Sequence, residues 1–250
     1  MILWIIAAFA GYFVKGVCGF ANTLVLTGIL SFGADNVNIT PVDLVLSYGA
    51  NAAMAYRERA HIKWKVALPL AALVLLGCLP GAFLLKTGNA QFIKIAAGAA
   101  IILAAVVMLV KNIKNSSPQG DSDNAENAEK PGSRLVTLLI AIVSGILSGL
   151  YGIGALMSVC VSRVTQNSHE FKANMSLIFF AEGTFRMILY ICIGIMSKEL
   201  FLRGLLLLPV SLAGLFCGMK LSGHIDESKA KYLVIFFLMI SGVVIIVNNI

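Results

Sequence analysis

Charge is scarce in this chain. Lys, Arg, Asp and Glu make up 12% of the 250 residues, against about 25% in an ordinary soluble domain. With 59% hydrophobic residues and a mean hydropathy of +0.91, a soluble domain of any size is excluded. Histidine is nearly absent too. His61, His169 and His224 stand far apart, none with a second ligand at metal spacing, so no metal site is expected. The five cysteines (Cys18, Cys78, Cys160, Cys192 and Cys217) sit singly in apolar runs with no C-x-x-C. They read as small buried hydrophobes, not as a disulfide or zinc framework. No P-loop, hydrolase or kinase motif occurs, so no catalytic residue, no cofactor and no direct use of ATP are expected. The opening Met1-Ile2-Leu3-Trp4 lacks a basic leader and reads as the start of the first membrane element.

The charge that is present is mostly basic, +7 in all. It lies in short loops beside apolar runs, which is the positive-inside pattern and not a nucleic-acid surface. Two apolar runs exceed the ~20 residues that one spanning helix needs: Ile2 to Phe32 and Leu135 to Ser162. Each is interrupted by glycine, at Gly16 and Gly19 in the first and at Gly145, Gly149, Gly152 and Gly154 in the second. Glycine costs a helix ~1 kcal/mol per position relative to alanine. A long tilted helix packed on glycine and a helix broken at membrane depth are both compatible with one such run.

The chain repeats the arrangement. After the first long run come spans at about 40–56, 66–85 and 93–110, then a polar segment at 111–134. After the second come spans at about 173–196, 205–221 and 232–247. Gly16, Gly19 and Ala21 echo Gly149, Gly152 and Gly154, and Gly77-x-x-x-Gly81 echoes Gly214-x-x-x-Gly218. The expected organisation is a first transmembrane repeat over 1–111, a cytoplasmic linker over 112–134 and a second repeat over 135–250. Interrupted segments in corresponding places of two halves are the pattern of secondary transporters.

Loop charge distinguishes the two readings of the long runs. If both are re-entrant hairpins, thirteen loop Lys and Arg lie on one side and four on the other. If both cross once, the split is ten to seven. The positive-inside rule prefers hairpins, and three full crossings per half make the repeats inverted. A limb of about 14 residues reaches about 21 Å, past the midplane of a core about 30 Å thick. The fold class is therefore an all-α polytopic membrane protein. It has eight membrane elements in two inverted four-element repeats, each opening on a broken or re-entrant hairpin.

At each break a second limb starts, around Gly19, Ala21 and Asn22 and around Gly152 and Gly154. A helix start presents up to four unpaired N–H groups and a positive dipole end, which favours an anion. Asn22, Thr23, Ser148, Tyr151 and Ser158 add hydrogen-bonding groups, although the same groups would serve to satisfy a broken backbone. Two cations lie inside the apolar elements, Lys15 and Arg186. Arg186 has Glu182 one turn earlier, so substrate contact and a structural ion pair both remain open for it. Lys15 has no acidic neighbour in sequence and is the better candidate for attracting an anion. Asn51 is a weaker candidate, and Asp43 reads as a helix-start carboxylate.

Gly145-x-x-x-Gly149-x-x-Gly152-x-Gly154 after an apolar lead resembles the glycine signature of the sulfite exporter TauE/SafE permeases. So do the basic loop carrying His61 and Trp64, the Gly77-x-x-x-Gly81 span, and His169-Glu170-Phe171-Lys172-Ala173-Asn174. The first break, Gly16-x-x-Gly19-Phe20-Ala21-Asn22, is poorer in glycine than the family pattern. The resemblance implies an inner-membrane, multi-pass permease for sulfite, a sulfonate or a related sulfur-containing anion. Its expected partners are that small anionic solute, the lipid bilayer and a coupling ion, with no nucleic acid. A cation or metal carrier and a non-transporting membrane subunit are the alternatives.

Overall fold

The computed structural model describes residues 2–30, 36–87, 141–150, 152, 155–162 and 164–222, with single helical positions inside 95–110 and 232–247. Among the described residues the structure is helical, with no strand. The helices are α1 (Ile2–Cys18), α2 (Asn22–Leu30), α3 (Asn36–Arg57), α4 (Trp64–Thr87), α5 (Ala141–Leu150), α6 (Ala155–Ser162), α7 (Ser168–Cys192) and α8 (Lys198–Leu221). A single 3₁₀ turn, Arg59–His61, follows α3.

Three of these helices are long and apolar enough to cross a bilayer, over Trp64–Phe83, Ser168–Cys192 and Lys198–Leu221. Leucines such as Leu68, Leu76 and Leu206 are exposed on their outer faces. Such apolar flanks suit lipid and would be a liability in water. α7 and α8 each begin earlier than hydropathy implies because polar caps open them. Asn167 accepts the Glu170 N–H at 2.8 Å, and Ser197 accepts the Leu200 N–H at 3.2 Å, each satisfying an orphan donor of the first turn. α3 likewise begins at Asn36, so Pro41 lies inside it and not at its start. There Pro41, past the first turn, costs the helix one backbone hydrogen bond.

The first long run is broken. Gly19 and Ala21 adopt positive φ, +87° and +75°, a conformation that glycine takes freely and alanine takes at a cost. In a continuous helix Gly11 and Leu26 would lie about 22 Å apart along the axis. Instead a Cβ added at Gly11 would meet the Asn22 carbonyl oxygen at 2.9 Å and Leu26 Cβ at 3.4 Å. α2 therefore turns back beside α1 as a helical hairpin.

The two Gly-x-x-x-Gly helices pack across the halves of the chain. α8 lies on α1, and a Cβ at Gly16 would sit 2.9 Å from Gly218 Cα, one at Gly214 2.5 Å from the Phe9 carbonyl oxygen. α4 lies on α5 in the same way. A Cβ at Gly77 would meet Gly145 Cα at 2.9 Å, and one at Gly149 the Cys78 carbonyl oxygen at 2.5 Å. Only glycine permits backbones this close. We expect Gly218→Val to force α8 off α1 at about 1–3 kcal/mol, the usual cost of overpacking. A lowered melting temperature in detergent checks it, and an unchanged one would mean the crossing is loose.

The corner after α3 is tied to the start of α7. Lys63 Nζ pairs with Glu170 at 2.8 Å, the Lys63 N–H reaches Asn174 Oδ1 at 3.0 Å, and His169 Nδ1 lies 2.9 Å from Glu58 Oε2. α3 and α4 each pack on α7. These contacts hold α7, which carries Glu182 and Arg186, against α3 and α4.

Candidate functional site

A cavity of about 30 Å³ lies in the helical core, lined from both halves of the chain. α1, the first break and α2 contribute Lys15, Ala21, Asn22 and Thr23; α3 contributes Ser47 and Asn51; α7 contributes Glu182 and Arg186, and Gly152 closes the second break. The sequence places these residues far apart, and the two breaks bring them to one point.

On the first side, Lys15 is 2% exposed and donates to Asn22 Oδ1 at 3.2 Å. Asn22 in turn donates through Nδ2 to Ser47 Oγ at 2.8 Å. Asp43, 1% exposed on α3, accepts from the Tyr12 hydroxyl at 2.7 Å and from the Thr23 hydroxyl. Asp43 is thus no helix-start carboxylate. It lies inside α3, where burial demands the neutral donors that surround it. Among the described residues Lys15 makes one hydrogen bond and no ion pair. An ammonium has three N–H donors, so two are left to meet a ligand or water.

On the second side, Arg186 Nη1 lies 3.4 Å from Glu182 Oε1, both groups buried. The Glu182 carboxylate also accepts weakly from Cys78 Sγ at 3.7 Å. Arg186 Nη1 donates to the Ser148 carbonyl, and Tyr190 donates to the Gly149 carbonyl at 2.8 Å. Both carbonyls belong to the last turn of α5, and the Ser148 carbonyl also accepts the Gly152 N–H at 2.7 Å, so Arg186 is its second donor. Gly152, at φ +73°, lies directly against the guanidinium. A Cβ there would be 2.9 Å from Arg186 Nη2. Arg186 Nε and Asn51 Oδ1, both on cavity-lining residues, are buried with no hydrogen-bond partner.

Of the residues singled out by sequence, Lys15, Ala21, Asn22, Thr23, Gly152 and Arg186 line the cavity, as does Asn51. Gly19 belongs to the break but packs on Phe171 and Lys172. Ser148 takes part through its carbonyl, while its hydroxyl is buried without a partner. Ser158 is buried in α6 outside the described lining. Tyr151 and Gly154 lie outside the described residues. Sequence reasoning missed Tyr12 and Ser47. Their polarity within apolar helices is the available signal, and Ser47 lies one turn from Asp43.

Apolar helices of membrane-spanning length around a buried cavity with charged walls define a membrane transporter. The model of the sulfite exporter TauE/SafE family matches residues 3–245, and the chain belongs to this family. Comparison with curated proteins and with solved structures found no match.

Proposed function

We propose that this permease moves a small oxyanion, sulfite, a sulfonate or a related sulfur-containing anion, through the cavity between the two breaks. The observation that carries the reading is two buried cations with donors unspent at one cavity. Lys15 retains two N–H donors and the Arg186 Nε–H is buried without a partner, both on lining residues. Cationic donors left over at a buried cavity call for an anionic ligand rich in acceptors. The carboxylates are already engaged, Asp43 by hydroxyls and Glu182 by Arg186, which disfavours a metal or other cation as cargo.

The cavity of about 30 Å³ has room for about two waters. A tetrahedral or pyramidal oxyanion needs more, so its walls part during transport. The four charges buried at or beside the cavity, Lys15, Arg186, Asp43 and Glu182, sum to zero, and an anion entering alone would leave net charge buried in the bilayer at high cost. Entry together with a coupling cation removes that cost, which supports secondary transport driven by an ion gradient.

For the architecture, the reading is eight elements in two inverted repeats, within an inner membrane. The pairing of Glu58 with His169 and of Lys63 with Glu170 supports it, because residues 57–65 and 163–172 share a side only if the second long run returns to the side it left. Cysteine labelling should report 57–65, 111–134 and 163–172 from one side and 34–40 and 198–203 from the other. Labels at 34–40 and 163–172 appearing on the same side would contradict it.

Flux into proteoliposomes, screened over sulfite, sulfate, sulfonates and carboxylates with and without pH and Na⁺ gradients, tests the function. Saturable, gradient-dependent movement of a sulfur oxyanion is expected. Cation flux without anion flux would make it a cation carrier, and no flux of any solute a non-transporting subunit.

A further inference from the structure

Outside the cavity, Glu58, His61 and His169 come together where α3 ends and α7 begins, and we propose that they form a binding site for a divalent transition-metal ion, Zn²⁺ or a similar cation. The ligand atoms of the three side chains all lie within 4.8 Å of one another. Glu58 Oε2 is 2.9 Å from His169 Nδ1 and 3.6 Å from His61 Nδ1. Ligands at about 2.0–2.2 Å around a tetrahedral metal stand about 3.4 Å apart, and these two separations straddle that value. The imidazole rings lie 5.2 Å apart, tilted by 30°. Two imidazoles and one carboxylate suit zinc, copper or nickel and not magnesium or calcium, which take oxygen.

The scaffold holds the ligands without help from the metal. Glu58 N–H bonds to the Met54 carbonyl at 2.9 Å, prolonging α3, and His61 N–H bonds to the Glu58 carbonyl at 2.9 Å, closing the turn that lifts His61 over the carboxylate. His169 is fixed in the capped first turn of α7, and Lys63 fastens the same loop to Glu170 and Asn174. Both histidine side chains remain open to solvent, 47% for His61 and 66% for His169, while Glu58 is 11% exposed. That is three anchored protein ligands with an open position for water. Arg57, Arg59, Lys63 and Lys65 lie at the same corner, from the last residue of α3 to the first turn of α4, and oppose a cation that depends on charge alone. Nitrogen donors bind borderline-soft metals through coordination, so the basic surroundings select further against hard cations.

A metal here would clip the α3–α4 corner to α7, the helix that carries Glu182 and Arg186. The site stands independently of the transported solute, so its test is a binding measurement. Full-length protein in detergent, with any histidine tag removed, is titrated with Zn²⁺ and with Co²⁺ at about pH 7.5. One metal per chain is expected, with visible Co²⁺ absorption of a four-coordinate site and a higher melting temperature on adding Zn²⁺. His61→Ala and His169→Ala should each weaken binding by about 10-fold or more and abolish the Zn²⁺-dependent rise. His61→Ala keeps the Glu58–His169 contact, so it reports on the site even where His169→Ala unfolds the corner. No uptake by the unmodified protein, or uptake unchanged in His61→Ala, overturns the proposal.

Discussion

Arg186→Gln should cost the protein about 3–5 kcal/mol, the scale of stranding one partner of a buried ion pair. The substitution leaves Glu182 buried, with the weak Cys78 contact as its remaining described partner. It also removes the donor to the Ser148 carbonyl and empties the space against which Gly152 packs. Two effects should therefore appear together: a large drop in melting temperature in detergent and loss of transport. Glu182→Gln made in the same chain should restore part of the stability, since two neutral amides replace an unpaired charge. It should not restore transport, because the α5 carbonyl still lacks its cation. If Arg186→Gln removed solute affinity without lowering the melting temperature, Arg186 would be a substrate ligand alone and the structural half of this assignment would be wrong.

Gly152→Val should reduce flux to background while the protein still inserts. Valine at φ +73° is strained by about 1–2 kcal/mol for the backbone alone, and its branched side chain resists that conformation further. The Cβ would also enter at 2.9 Å from Arg186 Nη2. The flexible guanidinium would give way, and in doing so would leave the Ser148 carbonyl and reshape the cavity wall. Flux in proteoliposomes, normalised to inserted protein, measures the effect. Normal flux would leave Gly152 as a packing residue that tolerates bulk.

How much of this was legible in the sequence follows from what a linear pattern records. Lys15 and Arg186 stood out because a cation in an apolar run is costly. The break at Gly19 to Asn22 and the positive φ at Gly152 follow from glycine spacing. The two Gly-x-x-x-Gly motifs announced close packing, but spacing names a face and not the face it meets. That each motif grips the broken element of the other half emerged only from the structure. Asp43 was misplaced because Pro41 marked a helix start that in fact lies at Asn36. Reading Asp43 one turn deeper would have put it within the apolar span, on the face it shares with Ser47. His61 and His169 looked isolated for a similar reason. Their shared carboxylate, Glu58, joins them only after α3 and α7 pack side by side.

The central claim is that Lys15, buried beside the first break with donors to spare, holds the transported anion. Lys15→Gln keeps a donor toward Asn22 and removes the charge. Binding of sulfite, or of the sulfur oxyanion that the flux screen selects, by wild type and Lys15→Gln in proteoliposomes is the measurement. Apparent affinity should weaken by about 1–2 kcal/mol, the scale of one charge-assisted hydrogen bond, with the melting temperature in detergent close to wild type. Equal affinity in the two proteins, with both correctly folded, would contradict it.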